Sequence, residues 1–180
     1  QLERFDLAAL GKDNPVAWHL IAESMRLAYA DRAKYSADAD FVTVPVAGMI
    51  DPAYLAQRSA LIDPGMTIAT VSAGTPPGAE RLALAEQAPG EEHGTSHLSV
   101  VDRRGHAVSY TSTIESSFGS GIVVGGYFLN NELTDFDLNP VFEGKPANNR
   151  VQGGKRPRSS MSPSLVWSPD GKLRLAVGAA

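Results

Sequence analysis

The chain has 180 residues, 43% of them hydrophobic and 20% charged, with no cysteine and a formal net charge of −4. That length is one domain or a piece of a larger one, and the ordinary apolar share argues against bulk disorder. The acidic balance disfavours a nucleic-acid binder that works by neutralising phosphates. The missing cysteines exclude disulfide scaffolds, thiolate zinc sites and cysteine nucleophiles. No apolar run approaches the length of a spanning helix, and Gln1-Leu2-Glu3-Arg4 carries neither an initiator Met nor a signal pattern, so the ends read as cut.

Composition changes partway along. Residues 1–94 hold 19 of the 24 alanines and a net charge of −6; residues 95–180 hold 5 alanines and a net charge of +2. The first part should be helical and the second richer in strands. The first helix is expected over about 14–34. Asp13 or Asn14 would cap it, with Pro15 in the first turn. Ala17, Leu20, Ile21, Ser24, Leu27 and Ala28 make its apolar stripe, which Trp18, Met25 and Tyr29 could widen. His19 has no second ligand at helical spacing and reads as an edge residue. A short helix is expected from Asp51-Pro52 to about Leu61. Residues 72–94, rich in Pro, Gly and like charges, read as a solvated linker with a weak helical turn at 80–87.

After Gly94 the period becomes two. His97–Val101 and His106–Thr113 read as strands joined by Asp102-Arg103-Arg104-Gly105. Ile122–Val124 and Tyr127–Leu129 are short strand candidates. Ser164–Trp167 and Leu173–Val177 flank Ser168-Pro169-Asp170-Gly171, a hairpin signal. Hairpins following helices indicate an α+β or layered αββα domain. The glycine patterns lack the context of a phosphate or dinucleotide loop, the four histidines give no metal spacing, and there is no nucleophile elbow. No metal or cofactor is expected.

The junction Gly94-Thr95-Ser96-His97 is where a loop runs into a strand that begins with Thr. Were the Gly94–Thr95 bond cut, Thr95 would carry a free α-amine beside its own hydroxyl. Such an amine titrates near about 8, so it can act as the base for Oγ. An ordinary strand start is the plainer reading of the same residues.

Four ordered blocks bear on the choice. They are Thr95-Ser96-His97-Leu98-Ser99-Val100-Val101-Asp102, Ser109–Glu115 with Phe118–Ile122, Leu129-Asn130-Asn131-Glu132-Leu133-Thr134-Asp135-Phe136, and Lys155-Arg156-Pro157-Arg158-Ser159-Ser160-Met161-Ser162-Pro163. They resemble the small subunit of γ-glutamyltranspeptidases over about 95–168. Residues 1–94, with Tyr29-Ala30-Asp31-Arg32 closing the long helix, resemble more loosely the C-terminal part of that family's large subunit.

The resemblance implies an N-terminal-nucleophile hydrolase, part of an αββα sandwich, formed when a precursor zymogen cleaves itself between Gly94 and Thr95. It divides the chain into 1–94, a helical large-subunit end with a pre-cleavage loop, and 95–180, a β-rich catalytic core. Thr95 then matches the nucleophile and Thr113 the hydroxyl that orients it. Glu115, Glu132 and Asp135 match the residues that hold a donor's α-amino group, and Ser159 and Ser160 those that bind its α-carboxylate. Taken alone, the acids read as solvated and the serines as turn caps. The implied partners are a glutathione-like γ-glutamyl donor, water or an amino-acid or peptide acceptor, and other segments of the same precursor. The implied location is periplasmic or secreted.

Lys155, Arg156 and Arg158 read as a solvated basic loop. The short polar stretch Leu138–Gly154 suggests an open site without the lid of some members. Two family elements fall beyond the chain: an upstream arginine, and a Gly-Gly pair just past Gly178-Ala179-Ala180 that supplies oxyanion donors. That leaves a fragment that needs them for activity as one expectation. Amidase action on glutaryl-β-lactam or poly-γ-glutamate donors is another.

Overall fold

A computed structural model describes residues 1–86 and 94–179. They form helices and strands of an α+β chain, in two compact units. The first comprises residues 1–86 and 136–156, the second residues 94–135 and 157–179.

Among the described residues the first unit holds four α-helices, α1 (Leu7–Leu10), α2 (Pro15–Tyr35), α3 (Val46–Met49) and α4 (Pro52–Ser59), after a short 3₁₀ turn at Leu2–Arg4. The long helix α2 starts where the cap chemistry places it: Asn14 Oδ1 accepts from the Val16 N–H at 2.9 Å, and Pro15 takes the position whose N–H would have no partner. Leu20 and Leu27 pack with Ile62 into a core that Leu2, Phe5, Leu7, Leu10, Val16, Ile68 and Val71 extend. Asp51 caps α4 by accepting from the Tyr54 N–H at 3.0 Å.

The inward face of α2 differs from the expected stripe. Ala28 is exposed, and so are Trp18 and Met25, which do not widen the core. Glu23 and Asp31 are buried in their place. Each has partners remote in sequence. Glu23 accepts from the Ile68 N–H at 3.0 Å and from Arg26 at 2.6 Å. Burial pushes its carboxyl up, but those two donors outweigh it and hold the group below its ordinary range. Asp31 accepts from Tyr54 Oη at 2.8 Å and the Gly74 N–H at 2.7 Å, and pairs with buried Arg58 at 3.1 Å. Burial and the Asp31 charge push the Tyr54 hydroxyl well above its ordinary pKa. Gly74 is needed for this packing, because a Cβ there would collide with Tyr54 Oη.

Residues 72–86 are more than a solvated linker. Pro76, Ala79 and Ala85 are buried, and no helix forms over 80–86; residues 87–93 of that stretch lie outside the described residues. Residues 136–156 also depart from expectation. They carry a small hairpin of β5 (Val141–Phe142) and β6 (Lys145–Pro146), and they bury Phe136, Ala147, Asn148 and Asn149 in the first unit.

The second unit is strand-rich. β1 (Ser96–Val101) and β2 (Ala107–Ser112) pair antiparallel from Ser96↔Ser112 to Val101↔Ala107. Their turn is set by Asp102, which accepts from the Arg104 N–H at 2.8 Å and the His106 N–H at 2.9 Å. β3 (Val123–Val124) pairs with β4 (Tyr127–Phe128), and β7 (Ser164–Trp167) with β8 (Leu173–Val177). Ser99 Oγ donates to Ala176 O and Ser109 Oγ to Val177 O, both at 3.0 Å, which ties the first hairpin to β8.

Candidate active site

Alternation along β1 and β2 sorts their residues onto two faces. Leu98, Val100, Val108 and Tyr110 share one face and are exposed. His97, Ser99, Ser109 and Thr111 share the other as a polar ladder: His97 Nδ1 lies 2.8 Å from Thr111 Oγ1 and Nε2 lies 3.0 Å from Ser99 Oγ. The pairing ends at Ser96↔Ser112, and Thr95 and Thr113 are the next residues beyond it on the two chain segments.

Thr95 is half-buried at the open end of this hairpin. It lines a cleft of about 520 Å³ together with Gly94 and Ser96, residues 112–114, Ser116 and Ser117. Both threonines therefore share one hydroxyl-rich concavity. Thr113 Oγ1 accepts from the Glu115 N–H at 2.8 Å, which leaves its hydroxyl hydrogen to be donated elsewhere.

Glu115 sits between two cleft residues, buried, with φ at +73°. A non-glycine residue in the left-handed region is uncommon and needs holding. Asn131 supplies much of that: its Nδ2 donates to the Glu115 carboxylate, and its Oδ1 accepts from the Ser116 N–H at 3.0 Å. Ser116 Oγ donates to the same carboxylate at 2.6 Å. Asn131 thus fastens the turn at 113–116 to the short 3₁₀ segment Glu132–Asp135. Its position inside a sequence block gave no hint of this, since its partner lies 16 residues away.

Glu132 and Asp135 are hydrogen-bonded through their side chains, with the Glu115 charge close enough to act on Glu132. Burial is the largest influence on Glu132, followed by Asp135 and then Glu115; all push its carboxyl up. Its Oε1 is buried with no hydrogen-bond partner among the described residues. Of the three expected acids, Glu132 and Asp135 therefore sit side by side, with Glu115 near enough for its charge to act on Glu132.

Ser159 and Ser160 lie just before β7. Ser159 is exposed and its Oγ accepts from the Met161 N–H at 3.2 Å, which is turn chemistry. Neither lines the Thr95 cleft. In the basic loop Arg156 is exposed as expected, and only Lys155 departs from a solvated reading. Lys155 is buried, donating to Asn148 O at 2.5 Å and Arg150 O at 3.2 Å, and Arg156 is paired with Asp38. Burial, then Arg150, pushes the Lys155 amine below its ordinary pKa. Among the described residues no group of His, Asp or Glu could hold a metal ion, and no helix is long and apolar enough to cross a membrane.

A family model described as Gamma-glutamyltranspeptidase matches residues 1–180. The chain is 41% identical over 184 aligned residues to a glutathione hydrolase proenzyme of Bacillus subtilis, covering 98% of this chain and 30% of that protein. It is 44% identical over 168 residues to one from Pseudomonas aeruginosa, covering 89% of this chain and 28% of that protein. The chain therefore spans about 30% of the length of these relatives. A solved γ-glutamyltranspeptidase from Pseudomonas nitroreducens, complexed with L-DON, is 44% identical over 46% of each chain. Its TM-score of 0.40 carries no argument about the fold.

Proposed function

The chain belongs to the gamma-glutamyltranspeptidase family, and from that premise we propose that it is the central part of a precursor that cleaves itself between Gly94 and Thr95, then transfers or hydrolyses γ-glutamyl groups through Thr95. The observation that carries this reading is that Thr95 and Thr113 line one cleft, in a chain matched from end to end by the family.

In the precursor, Thr95 Oγ attacks the Gly94 carbonyl carbon. Oγ gives up its proton, the C–N bond breaks, the nitrogen takes a proton, and an ester remains. Water opens that ester, leaving a Gly94 carboxylate and a Thr95 with both hydroxyl and free α-amine. The amine then removes the Oγ proton as Oγ attacks the γ-carbonyl of a donor, and the departing amine takes that proton. Water or an acceptor amine discharges the acyl-enzyme. Thr113 donates its remaining hydroxyl hydrogen toward Thr95. The Glu115–Glu132–Asp135 cluster holds the donor's α-ammonium, and Ser159 and Ser160 its α-carboxylate.

Residues 1–94 and 95–180 are in this reading the end of one product chain and the start of the other, within an αββα sandwich to which the rest of the precursor contributes. Glutathione or a similar amide is the donor. Its amino group is what the buried Glu132 carboxyl, whose Oε1 has no hydrogen-bond partner among the described residues, favours over a glutaryl donor that lacks one. The short 138–154 stretch goes with an open site, and location outside the cytoplasm rests on the family resemblance alone.

Thr95→Ala in the full precursor is expected to leave one uncut chain by intact mass and to lower release from a γ-glutamyl anilide by at least about 10³-fold, as for loss of a covalent nucleophile. Full activity or cleavage in that variant would sink the reading. A parent enzyme that takes glutaryl anilide as readily as γ-glutamyl anilide would remove the amino-group role of the acids.

A further inference from the structure

Residues 136–156 follow the Thr95 side of the chain in sequence yet fold into the first unit with residues 1–86. Their attachments there are specific. Asp38, whose side chain is 1% exposed, accepts three hydrogen bonds from Arg156: from the backbone N–H and Nε at 2.9 Å, and from Nη2 at 2.6 Å. Arg156 Nη2 also donates to Asp40 at 2.6 Å. Asn148 Nδ2 donates to Tyr35 O at 2.7 Å, and buried Lys155 binds the Asn148 carbonyl from the other side. The Ala85 N–H donates to Pro146 O at 3.0 Å.

If the Gly94–Thr95 bond is cut, every contact that residues 136–156 make with residues 1–86 becomes a contact between two polypeptides. We propose that residues 136–156 are the clasp by which the chain starting at Thr95 stays bound to the chain ending at Gly94, with the Asp38–Arg156 fork as its specific fastening. This rests on the cleavage proposed above. A fork onto a buried carboxylate suits a fastening of this kind. It is directional, and losing the Arg156 side chain leaves the buried Asp38 carboxylate with only the backbone N–H groups of residues 40 and 156 as donors. The outer face of Arg156 is solvated, so the effect is smaller than for a fully buried pair.

The test compares the full cleaved protein with Arg156→Met, Asp38→Asn and the double variant, following chain separation in rising urea by size-exclusion and native mass. Arg156→Met and Asp38→Asn are each expected to raise the apparent dissociation constant of the two chains about tenfold, as for loss of charge-assisted hydrogen bonds, and the double variant little more than either. Arg156→Lys, which keeps the charge and loses the fork, should fall between; it carries the test if Arg156→Met does not accumulate. Unchanged separation in these variants overturns the proposal.

A second arm removes the dependence on self-cleavage. In a Thr95→Ala background, residues 87–93 are replaced by a protease recognition sequence and cut with added protease. The same shifts are expected there. A parent that never cuts itself, alongside shifts in this arm, would leave the clasp standing and fail only the cleavage reading. No shift in this arm overturns the clasp whether or not self-cleavage occurs.

Discussion

Glu132 is the side chain whose surroundings ask most for something else to bind. Its carboxyl is pushed up by burial and by Asp135 and Glu115, so the folded chain holds that proton more tightly than the unfolded one. Its contribution to stability is therefore full below the ordinary carboxylate pKa and is lost as pH rises through the raised value. Glu132→Gln cannot ionise. Its melting temperature, followed from acid to neutral pH, should fall less than the parent's. A parent and variant with parallel pH profiles would remove the strain from this cluster. Glu23 runs the other way: held below its ordinary range by Ile68 and Arg26, it stabilises above the usual carboxylate pKa and loses that as pH falls. At this scale the sequence was a good guide to which residue types matter and a poor one to their partners. Thr95, Glu115, Glu132 and Asp135 could be named from ordered blocks. The roles of Asn131, Asp38 and Lys155 could not be read, because defining partners lie 16 residues away for Asn131, 118 for Asp38 and 7 for Lys155.

Elements with local causes formed where their local chemistry put them. Helix α2 begins at Pro15 because Asn14 can satisfy an N–H that the helix leaves without a partner. Asn14→Ala should cost about 1 kcal/mol in a thermal melt, and no measurable change would mean the cap is idle. The β7–β8 hairpin likewise matches its alternation and Asp-Gly turn at both strands. Gly119 tests a loop rather than an element. Its φ is +52°, and a Cβ would collide with Leu129 O, where the Ser120 N–H already donates at 2.9 Å. Gly119→Ala is expected to destabilise by roughly 2 kcal/mol or more and to lower turnover by shifting residues 129–135 against the 113–116 turn. A variant as stable as the parent in urea would show that the loop yields. The two-residue strands β5 and β6 had no such signal, whereas β3 and β4, equally short, lie in the apolar runs Ile122–Val124 and Tyr127–Leu129.

For the whole molecule, the division into compact units and the proposed division at Gly94–Thr95 do not coincide, and residues 136–156 are the reason. Without them the first unit would expose the Tyr35 carbonyl and leave the Asp38 carboxylate without its fork. Residues 1–86 expressed alone should therefore bind a hydrophobic dye and melt without cooperativity; a sharp two-state melt would show that the helices suffice. The many exposed apolar residues of the second unit, Leu98, Val100, Val108 and Tyr110 among them, belong to a chain that spans about 30% of its relatives' length.

By itself the sequence determined helices α2 and α4, the β1–β2, β3–β4 and β7–β8 hairpins, the family, and a threonine as the only kind of nucleophile worth proposing at the junction. These follow from causes within a few residues, or from ordered blocks of residue types. Tertiary structure alone decided which charged residues are buried, that Glu132 lies against Asp135, and that the short polar stretch 138–154 is anchored inside the helical unit. Those outcomes depend on donors and acceptors brought together from distant positions, and a buried charge is tolerated only where such partners meet it.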